Sequence, residues 1–327
     1  MVPAAATVER FRADLDALIA PDARVGVAVS GGPDSLALLV LAAAARPGQI
    51  EAATVDHGLR DEARAEAEKV ASVCERLGVP HTILAARWGE KPATAIQERA
   101  RRERYRLLGF WAEEQGLAAL ATAHHADDQA ETFLMRLARG SGVRGLAAMR
   151  PRSVAPGTGI KLLRPLLGWR RADLERVCVD AGLTPVRDPS NADDRFERVR
   201  IRAALARAEW LDPAAIARSA ANLAEADKAL DWAVRLEWDH HVKERRGTIL
   251  YRPSGAPPEI LRRIVSRAVR KLATEGESEL RGAELSRLVA TLADGGTATL
   301  RGVLCRGGVE WQFVPSPNRT RPVDNLE

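Results

Sequence analysis

The chain has 327 residues, of which 46% are apolar and 28% are charged, with a formal net charge of +5 and an isoelectric point of about 9.4. This composition is typical of a globular protein with about two or three domains, and it excludes a largely disordered chain. The basic balance favours a polyanionic partner, although a basic enzyme without such a partner also fits it.

The sequence also argues against several protein classes. Its longest apolar stretch, Leu36 to Ala45, is too short to span a bilayer. The N-terminal segment has an amphipathic helical pattern without the apolar core of a signal peptide, so we expect a cytoplasmic protein. Cys74, Cys178 and Cys305 are far apart and odd in number. That spacing argues against a disulfide framework, a zinc site and an iron–sulfur cluster.

The first predicted β-to-α unit contains a glycine-rich turn. Val25 to Val29 predicts a strand, Leu36 to Ala45 predicts a helix, and the residues between them read Ser-Gly-Gly-Pro-Asp-Ser. Gly31 and Gly32 let backbone N–H groups approach an anion at the positive end of the helix. The turn lacks the Lys-Ser/Thr ending of the mononucleotide P-loop, so no lysine reaches a γ-phosphate. We expect a nucleotide phosphate there; a turn without a ligand is the alternative.

Alternating strand and helix patterns continue along the chain and predict an α/β fold with a doubly wound, mostly parallel sheet. These patterns occupy Ile50 to Asp56, Asp61 to Leu77, His81 to Ala85, Thr94 to Glu114 and Ala118 to Ala123. Ligands bind at the carboxyl ends of the strands in such sheets. The turn at Ser30, the Asp56-His57-Gly58 segment and the residues from His124 to Asp128 should therefore share one edge and form a single active site.

A second glycine-rich segment, Gly140 to Gly145, has the Gly-x-Gly-x-x-Gly spacing of dinucleotide-binding folds. It follows a helical pattern, Glu131 to Ala138, where a dinucleotide-binding turn would follow a strand. A helix that ends at Gly140 in the left-handed conformation explains the segment better. Further on, the Asp212-Pro213 pair has the residue types that start a new helix.

Beyond Pro213 the sequence predicts long helices and a closing hairpin. The helices are predicted over Ala214 to Glu244, Pro258 to Leu272 and Gly282 to Leu292, and the hairpin strands over Ala298 to Cys305 and Val309 to Val314. We therefore predict two domains, residues 1–212 and residues 213–327, of which the second is smaller and mainly helical. The helix near Pro258 has a basic face, for which solvated charge and RNA phosphate contact both stay open.

Three motifs lie at the predicted sheet edge. They read Ser30-Gly31-Gly32-Pro33-Asp34-Ser35, Val55-Asp56-His57-Gly58-Leu59-Arg60 and Ala123-His124-His125-Ala126-Asp127-Asp128-Gln129-Ala130-Glu131-Thr132. Further matching segments are Glu98, Ala100-Arg101, Arg104-Tyr105, Arg139-Gly140-Ser141-Gly142, Gly145-Leu146, Leu163-Arg164-Pro165-Leu166 and Asp188-Pro189-Ser190-Asn191. This pattern closely resembles the tRNA(Ile)-lysidine synthetase family of the ATP pyrophosphatase superfamily, and it covers most of residues 24–205.

The resemblance implies a pyrophosphate-loop fold, similar to the adenine-nucleotide α-hydrolases, and a two-step ligation. The family uses ATP to adenylate the C2 oxygen of the wobble cytidine in an isoleucine tRNA with a CAU anticodon. L-lysine then displaces AMP to give lysidine, which changes the codon that is read from AUG to AUA. The implied cofactors are ATP and Mg²⁺. The implied partners are this tRNA and L-lysine, and a homodimer is the assembly we consider.

The pyrophosphate loop and one further carboxylate are expected to bind ATP. Adenylation adds negative charge to a triphosphate, so the site needs N–H donors and a divalent cation more than a base. The nucleotide-binding residues are predicted to be Ser30, Gly31, Gly32, Pro33, Asp34, Ser35 and Asp56. Phosphate would repel Asp34 unless Mg²⁺ lay between them, so we expect Asp34 to be catalytic as a metal ligand. A carboxylate that stabilises the helix N-terminus is the alternative.

Three acids, Asp127, Asp128 and Glu131, follow His125 in the first turns of a predicted helix. Their spacing puts carboxylates on one face, which needs a cation. Mg²⁺, the ammonium group of lysine and the positive end of the helix are the candidates. We assign all three acids to lysine binding, and Asp128 and Glu131 also to catalysis, because an acidic face would help to remove a proton from the amine. For His124 and His125, phosphate contact and a capping or packing role both stay open.

Arginines have the remaining predicted roles. Arg101 is assigned to catalysis on the basis of the resemblance. Arginine forks match phosphate geometry, so the tRNA-binding residues are expected in a basic segment and in the basic C-terminal helix. They are Arg195, Arg198, Arg200, Arg202, Arg263 and Arg267. Val199 departs from the Arg-Asn-Arg-Ile-Arg pattern of the family and removes an amide contact. Since the chain ends near residue 327, we expect recognition of the tRNA acceptor end to differ from that in longer family members.

Other functions fit the sequence less well. Enzymes that activate tRNA bases for sulfur insertion use the same loop, but those that resemble this chain rely on paired cysteines. Ligases that make GMP, NAD or asparagine share the opening hexapeptide without the His-His-Ala-Asp-Asp-Gln run. An ATP-responsive RNA-binding module would need the loop but not the acids, so the acids favour an enzyme.

Overall fold

A computed structural model describes residues 3–58, 62–86, 88, 96–186, 195, 197–273, 280 and 282–316 of the chain. The chain divides into two compact units, one comprising Met1–Gly140 and Gly145–Asn222 and the other Ser141–Arg144 and Leu223–Glu327. This division lies beyond the predicted boundary at residue 212, and the assignment of two functional domains stays a prediction. The predicted motif at residues 188–191 and the motif residues 59–60 lie outside the described ranges.

A sheet of six described strands forms the centre of the first unit. Its strands are β1 (Val25–Ala28), β2 (Ile50–Asp56), β3 (His81–Ala85), β4 (Ala119–Ala121), β5 (Arg152–Val154) and β6 (Lys161–Leu163). They lie in the order β3-β2-β1-β4-β6-β5, and all neighbours are parallel except β5 with β6. The chain switches direction across the sheet at β1, between β2 and β4. This order confirms the predicted doubly wound, mostly parallel sheet.

Helices flank this sheet. They are α1 (Ala5–Asp16), α2 (Pro33–Ala45), α3 (Glu62–Leu77), α4 (Ile96–Glu114), α5 (Ala126–Leu137), α7 (Arg171–Asp180) and α8 (Glu197–Arg207), with a short α6 (Val143–Leu146) across the division between the units. α2 packs against α1, α7 and the sheet, which explains why it is apolar on nearly all sides. Gly140 has a φ of 66° shortly after α5, which confirms the predicted left-handed glycine at the end of that helix.

The second unit combines helices with an antiparallel sheet. Its elements are α9 (Pro213–His241, which begins in the first unit), β7 (Val242–Arg245), β8 (Thr248–Tyr251), α10 (Pro258–Leu272), α11 (Gly282–Ala293), β9 (Thr297–Leu300), β10 (Val303–Arg306) and β11 (Trp311–Pro315). The strand order is β7-β8-β11-β10-β9, with every neighbour antiparallel. The carboxylate of Asp212 accepts hydrogen bonds from the backbone of Ala214 and Ala215 at 2.9 and 3.1 Å, which confirms the predicted start of α9.

Two predicted boundaries in this unit are wrong. The helix predicted to reach Glu244 ends at His241, and the strand predicted over Ala298 to Cys305 is the hairpin of β9 and β10. Each error misses a two-residue turn with an Arg-Gly sequence. Both residues of each turn have positive φ, with 44° and 78° in the first turn and 51° and 72° in the second. Such turns match the twist of a hairpin, so the chain reverses within two residues.

Two further findings concern the classes that composition argued against. None of the helices within the described ranges combines the length and apolarity needed to cross a membrane. Cys74, Cys178 and Cys305 are free and buried. Burial raises the pKa of these thiols, to about 12 for Cys74 and about 11 for Cys178.

Candidate active site

The glycine-rich turn joins β1 to α2 at the carboxyl edge of the parallel sheet. Gly31 has a φ of 83°, in the left-handed region that glycine adopts without strain. Its carbonyl accepts a hydrogen bond from Val186 N at 2.9 Å. Ser35 Oγ accepts a hydrogen bond from Ser30 N at 3.1 Å and donates one to Gly32 O at 3.0 Å. These bonds hold the turn in an open curve in front of the α2 N-terminus, the geometry that binds anions.

Asp34, in the first turn of α2, faces the residue that precedes α5. This residue is His125, whose Nε2 is 3.5 Å from Asp34 Oδ2 and 3.5 Å from Asp128 Oδ2. Its Nδ1 is 3.5 Å from Asp127 Oδ2. His125 is 1% exposed. The ring therefore links the acids of α5 to the turn that begins α2.

The surrounding carboxylates keep His125 in its charged form. Burial alone would lower its pKa, because a low-dielectric environment disfavours the imidazolium. The carboxylates of Asp127, Asp34 and Asp128 outweigh burial and raise the pKa to about 10. A positive charge therefore lies among three acids at neutral pH, and it reduces their mutual repulsion.

Asp127 is held by the segment that begins α7. Its Oδ2 accepts a hydrogen bond from Arg171 N at 2.9 Å, and the guanidinium of Arg170 donates to both carboxylate oxygens at 3.3 and 3.4 Å. Burial alone would raise the pKa of Asp127, but His125 and these donors hold it well below its usual range. Arg170 also donates to Asp212 Oδ1 at 3.0 Å. One guanidinium thus connects Asp127 of α5 to the start of α9.

Asp128 and Glu131 pair with two arginines of α8. Arg198 Nη2 donates to Asp128 Oδ1 at 3.0 Å, and Arg198 Nε donates to Glu131 Oε2 at 2.6 Å. Arg202 Nε donates to the other oxygen of Glu131, also at 2.6 Å. Glu131 is buried, and its hydrogen bond raises the pKa of Arg202. The acids are therefore compensated, while part of each arginine side chain stays exposed.

Asp56 and His57 end the strand next to β1. Asp56 Oδ1 accepts a hydrogen bond from Gly58 N at 2.9 Å. His57 Nε2 lies 3.3 Å from Arg104 Nη2 of α4. Because β2 and β4 both neighbour β1, the segments that follow these three strands share one edge, as predicted.

A basic region lies near His124. The guanidinium of Arg101, which is exposed, lies over the ring of Tyr105 at 5.1 Å. Arg164 is buried, and its Nε has no hydrogen-bond partner within the described residues. Burial lowers the pKa of His124 to about 4, and the charges of Arg164 and Arg101 act in the same direction, whereas Asp128 opposes them. His124 is therefore neutral at pH 7, in contrast to the charged histidine that follows it.

Known proteins share this arrangement of elements. The family model of the PP-loop domain matches residues 5–209, which include strands β1 to β6 and helices α1 to α8. A tRNA(Ile)-lysidine synthase of Novosphingobium aromaticivorans is 50% identical over 94% of this chain and 93% of that protein. One of Zymomonas mobilis is 44% identical over 92% and 91%. This chain belongs to the tRNA(Ile)-lysidine synthase family.

Membership of the lysidine synthase family confirms the predicted family and the predicted enzyme class, an ATP-using ligase of tRNA modification. A solved structure supports the fold. The U34-tRNA thiolase NcsA from Methanococcus maripaludis, solved with its [4Fe-4S] cluster, is similar with a TM-score of 0.57 and 19% identity, over 67% of this chain and 79% of that one. At this identity the likeness concerns the PP-loop fold alone.

Most of the predicted site residues of this chain meet at the sheet edge. Those residues are Ser30, Gly31, Gly32, Pro33, Asp34, Ser35, Asp56, Asp127, Asp128 and Glu131. Arg101 contributes to the electrostatic surroundings of His124. Arg195 and Arg200 are exposed, and Arg200 Nη1 donates to Arg195 O at 3.0 Å. The individual roles of these residues stay predictions.

The two predicted RNA contacts of α10 differ in burial. Arg263 is buried, and its guanidinium pairs with three carboxylates at 2.7 to 2.8 Å. These carboxylates belong to Asp227, Asp231 and Glu259. Arg267, one turn later, is exposed and lies over the ring of Trp238 at 4.2 Å. Only the second guanidinium is accessible to a phosphate.

Sequence reasoning missed the residues that hold the acids in place. It gave no role to Arg170 or Arg171, which bind Asp127, and it did not single out His125 as a charged link. A pair of arginines before a helix reads as surface charge, because the partner carboxylate is 43 residues away in sequence. The signal available in the sequence was the set of three acids that follow His125, because clustered carboxylates require a cation nearby.

Proposed function

We propose that this protein joins L-lysine to C2 of the wobble cytidine in the isoleucine tRNA with a CAU anticodon, consuming ATP and releasing pyrophosphate and AMP. One observation carries the proposal. A phosphate-type turn and three carboxylates share one sheet edge, and His125 links them. A phosphate turn alone fits many nucleotide-dependent proteins, whereas the adjacent acids fit an amine as second substrate. The reaction takes place where tRNA is, in the cytoplasm.

In the first step, the C2 oxygen of the cytidine attacks the α-phosphorus of ATP. A new O–P bond replaces the bond to the bridging oxygen, and pyrophosphate leaves. No general base is needed, because this carbonyl oxygen has no proton to lose. The backbone of Gly31 and Gly32 and the hydroxyls of Ser30 and Ser35 stabilise the phosphate charge with oriented dipoles. Arg101 supplies a cation on the same side of the molecule as His124.

Asp34 is the residue that would hold Mg²⁺. Its Oδ1 is buried and has no hydrogen-bond partner within the described residues. A buried carboxylate oxygen without a partner is costly, and oxygen ligands of this kind suit Mg²⁺. When bound, the ion neutralises phosphate charge. Asp56, at the end of β2, is proposed to contact the nucleoside part of ATP.

In the second step, the amine of lysine attacks C2, the C2–O bond breaks, and AMP leaves. The amine loses a proton, for which a nearby carboxylate is the acceptor. We propose that Asp127, Asp128 and Glu131 bind the lysine and that Asp128 and Glu131 act in this step. Arg198 and Arg202 were predicted to contact tRNA, but they pair with Asp128 and Glu131, so we propose instead that they supply the positive charge that the carboxylate of a free amino acid requires. A site with both signs of charge favours an amino acid over a simple amine.

Helix α8 has arginines on two opposite faces. Arg198 and Arg202 are four residues apart and pair with the acids. Arg200 and Arg207 are seven residues apart, so they share a face about half a turn away, and both are exposed. We propose that this outer face, with Arg195, contacts tRNA phosphates.

In the second unit we propose a tRNA phosphate contact for Arg267, because this side chain is exposed. Arg263 is left out, because its buried guanidinium is compensated by three carboxylates. The homodimer stays a prediction.

The proposal is tested with purified protein, ATP labelled at the α-phosphate, labelled lysine and the CAU isoleucine tRNA. We expect lysine label in the tRNA and equal amounts of AMP and pyrophosphate. The same tRNA with uridine at the wobble position is the matched control and should accept no lysine. ADP as the main product would reject the cleavage. Transfer from a labelled sulfur donor, run in parallel, in place of lysine would reject the ligation.

A further inference from the structure

An exposed tryptophan follows the arginine helix α8. Trp210 is 83% exposed. The backbone around it is fixed, because Leu211 N donates to Ala208 O at 2.9 Å and the Asp212 carboxylate accepts a hydrogen bond from Arg170 at 3.0 Å. The indole is therefore held in solvent by a hydrogen-bonded turn.

A single exposed apolar side chain is ordinary on a protein surface and carries no argument by itself. Trp210 differs from an ordinary exposed residue in its position next to exposed arginines in the chain. Arg200 and Arg207 form the exposed outer face of α8, and Trp210 follows three residues after Arg207. Asp212 binds Arg170, which in turn binds Asp127 of α5. Along the chain, Trp210 thus lies between the exposed arginines of α8 and Asp212, whose partner Arg170 also binds an acid of the candidate lysine site.

An aromatic plane next to arginines is a combination typical of single-stranded RNA binding. Unpaired bases stack on Trp side chains while arginines contact the flanking phosphates. The target cytidine belongs to an anticodon loop, whose bases are unpaired and can be turned outward. A base-paired helix would not offer a base face to an indole on the protein surface.

We propose that Trp210 is a stacking platform for an unpaired base of the anticodon loop, flanked by phosphate contacts from Arg207 and Arg200. This inference rests on the proposed function, from which it takes the RNA substrate. The proposed stacking contact carries no charge, whereas the phosphate contacts of Arg207 and Arg200 do. Loss of Trp210 and loss of a neighbouring arginine should therefore change the salt dependence of tRNA binding differently.

The first measurement is the Kd of the CAU isoleucine tRNA, without ATP or lysine, over a salt series. We expect Trp210→Ala to raise Kd roughly 5- to 100-fold, the range for loss of one stacked base, with an unchanged slope of log Kd against log salt. Trp210→Phe should recover most of the affinity. Arg207→Gln should lower the slope by roughly 0.7 to 0.9. The matched control is Trp232→Ala, which removes a tryptophan that is 58% exposed in the second unit and should leave Kd unchanged.

The second measurement uses tRNAs in which each anticodon-loop base is replaced, one at a time, by an abasic residue. One replacement should weaken binding to the wild type but not to Trp210→Ala, because both changes remove the same contact. Folding of each variant is checked by thermal unfolding, and its assembly by sedimentation. A Kd within twofold of wild type, or additive losses at every loop position, would overturn the proposal. A change in assembly without a change in Kd would assign Trp210 to a contact between copies instead.

Failure of this inference can be separated from failure of the proposed function. Lysine transfer is measured with the same wild-type preparation. Transfer by the wild type together with unchanged binding by Trp210→Ala rejects only the stacking contact. Absence of lysine transfer by the wild type rejects the proposed function, and the abasic series then still decides whether an RNA base stacks on Trp210.

Discussion

Each compact unit contains a cluster of arginines and carboxylates, and the two clusters differ in what they leave accessible. The site cluster consists of Asp128, Glu131, Arg198 and Arg202, and the closed cluster of Asp227, Asp231, Glu259 and Arg263. Both place charges four residues apart on helices, a spacing that brings side chains together. Residue type and spacing therefore do not distinguish them.

Exposure distinguishes the two clusters. In the closed cluster the side chains of Arg263 and Asp227 are each 7% exposed, so their charges compensate each other inside the unit. In the site cluster the side chain of Arg198 is 41% exposed. The adjacent Asp34 also has a buried oxygen without a partner in the described part of the chain. The closed cluster is suited to holding helices together, whereas the site cluster retains binding capacity for a substrate.

The largest effect is expected from Asp34→Asn. This change keeps the shape of the side chain but removes the charge that faces His125 and that would hold a cation. We expect pyrophosphate release in a single turnover to slow roughly 100- to 1,000-fold, with unchanged tRNA affinity, because a charge acting on the transition state is lost. Asp231→Asn in the closed cluster is the control and should release pyrophosphate at the wild-type rate. An unchanged rate in Asp34→Asn would remove this residue from the catalytic set.

The next effect is one of stability. Arg263→Gln removes the buried cation of the closed cluster, whereas Arg144 still pairs with Asp227 and Asp231, and Arg262 with Glu259. We expect the free energy of unfolding to fall by about 2 to 3 kcal/mol, because the buried Asp227 loses its buried partner while Arg144 compensates part of its charge. The salt dependence of tRNA binding should not change. Arg262→Gln, which breaks a single pair with Glu259, should cost less than about 1 kcal/mol. A lower salt slope in Arg263→Gln would show that the closed cluster opens to RNA.

His124, near the site cluster, should make the stability of the protein depend on pH. The pKa of His124 lies at about 4 in the folded state, below its ordinary value of 6.5. Its contribution to stability is therefore fully present above pH 6.5 and is lost as the pH falls through 4. Between pH 7 and pH 4 the wild type should lose about 2 to 3 kcal/mol more unfolding free energy than His124→Asn, as measured by urea unfolding. A difference that grows toward alkaline pH would contradict this assignment.

The first unit was more predictable than the second for a physical reason. Strands β1, β2 and β4 are buried apolar runs followed by polar residues, so local sequence reveals both the strands and the sheet edge. Strand β7 reads Val-Lys-Glu-Arg, which continues the polar pattern of the preceding helix. Its strand conformation depends on pairing with β8, and that contact follows the Arg246-Gly247 turn. The helical prediction to Glu244 gave this turn too little weight.

The candidate site was predictable only as far as its motifs extend. The turn at Ser30 and the acids after His125 are local features, and their meeting follows from strand order. The pairing of Arg198 with Glu131 joins residues 67 apart in sequence, so only tertiary structure reveals it. Sequence therefore located the basic segment but could not divide α8 into an inner face and an outer face.

A smaller catalytic effect is expected from Glu131→Gln. The change keeps the volume of the side chain but leaves two arginines of the site cluster without their shared carboxylate. We expect the KM for lysine to rise about 10- to 30-fold and adenylated tRNA to accumulate, because hydrogen bonds to a charged group are lost at the second step. Glu259→Gln, the matched change in the closed cluster, should leave the KM for lysine unchanged. Equal KM values in both variants would reduce Glu131 to a residue that only holds α8.

The smallest effect concerns the exposed arginine next to the closed cluster. Arg267 lies over Trp238 at 4.2 Å and is accessible, in contrast to Arg263 one turn earlier. Arg267→Gln should cost roughly 0.5 to 1 kcal/mol of stability through the lost cation–π contact. If Arg267 also contacts a tRNA phosphate, the slope of log affinity against log salt should fall by roughly 0.7 to 0.9. Arg267→Lys keeps the charge, so it should retain the slope. An unchanged slope in Arg267→Gln would remove Arg267 from the tRNA phosphate contacts, since its guanidinium would then serve the fold alone.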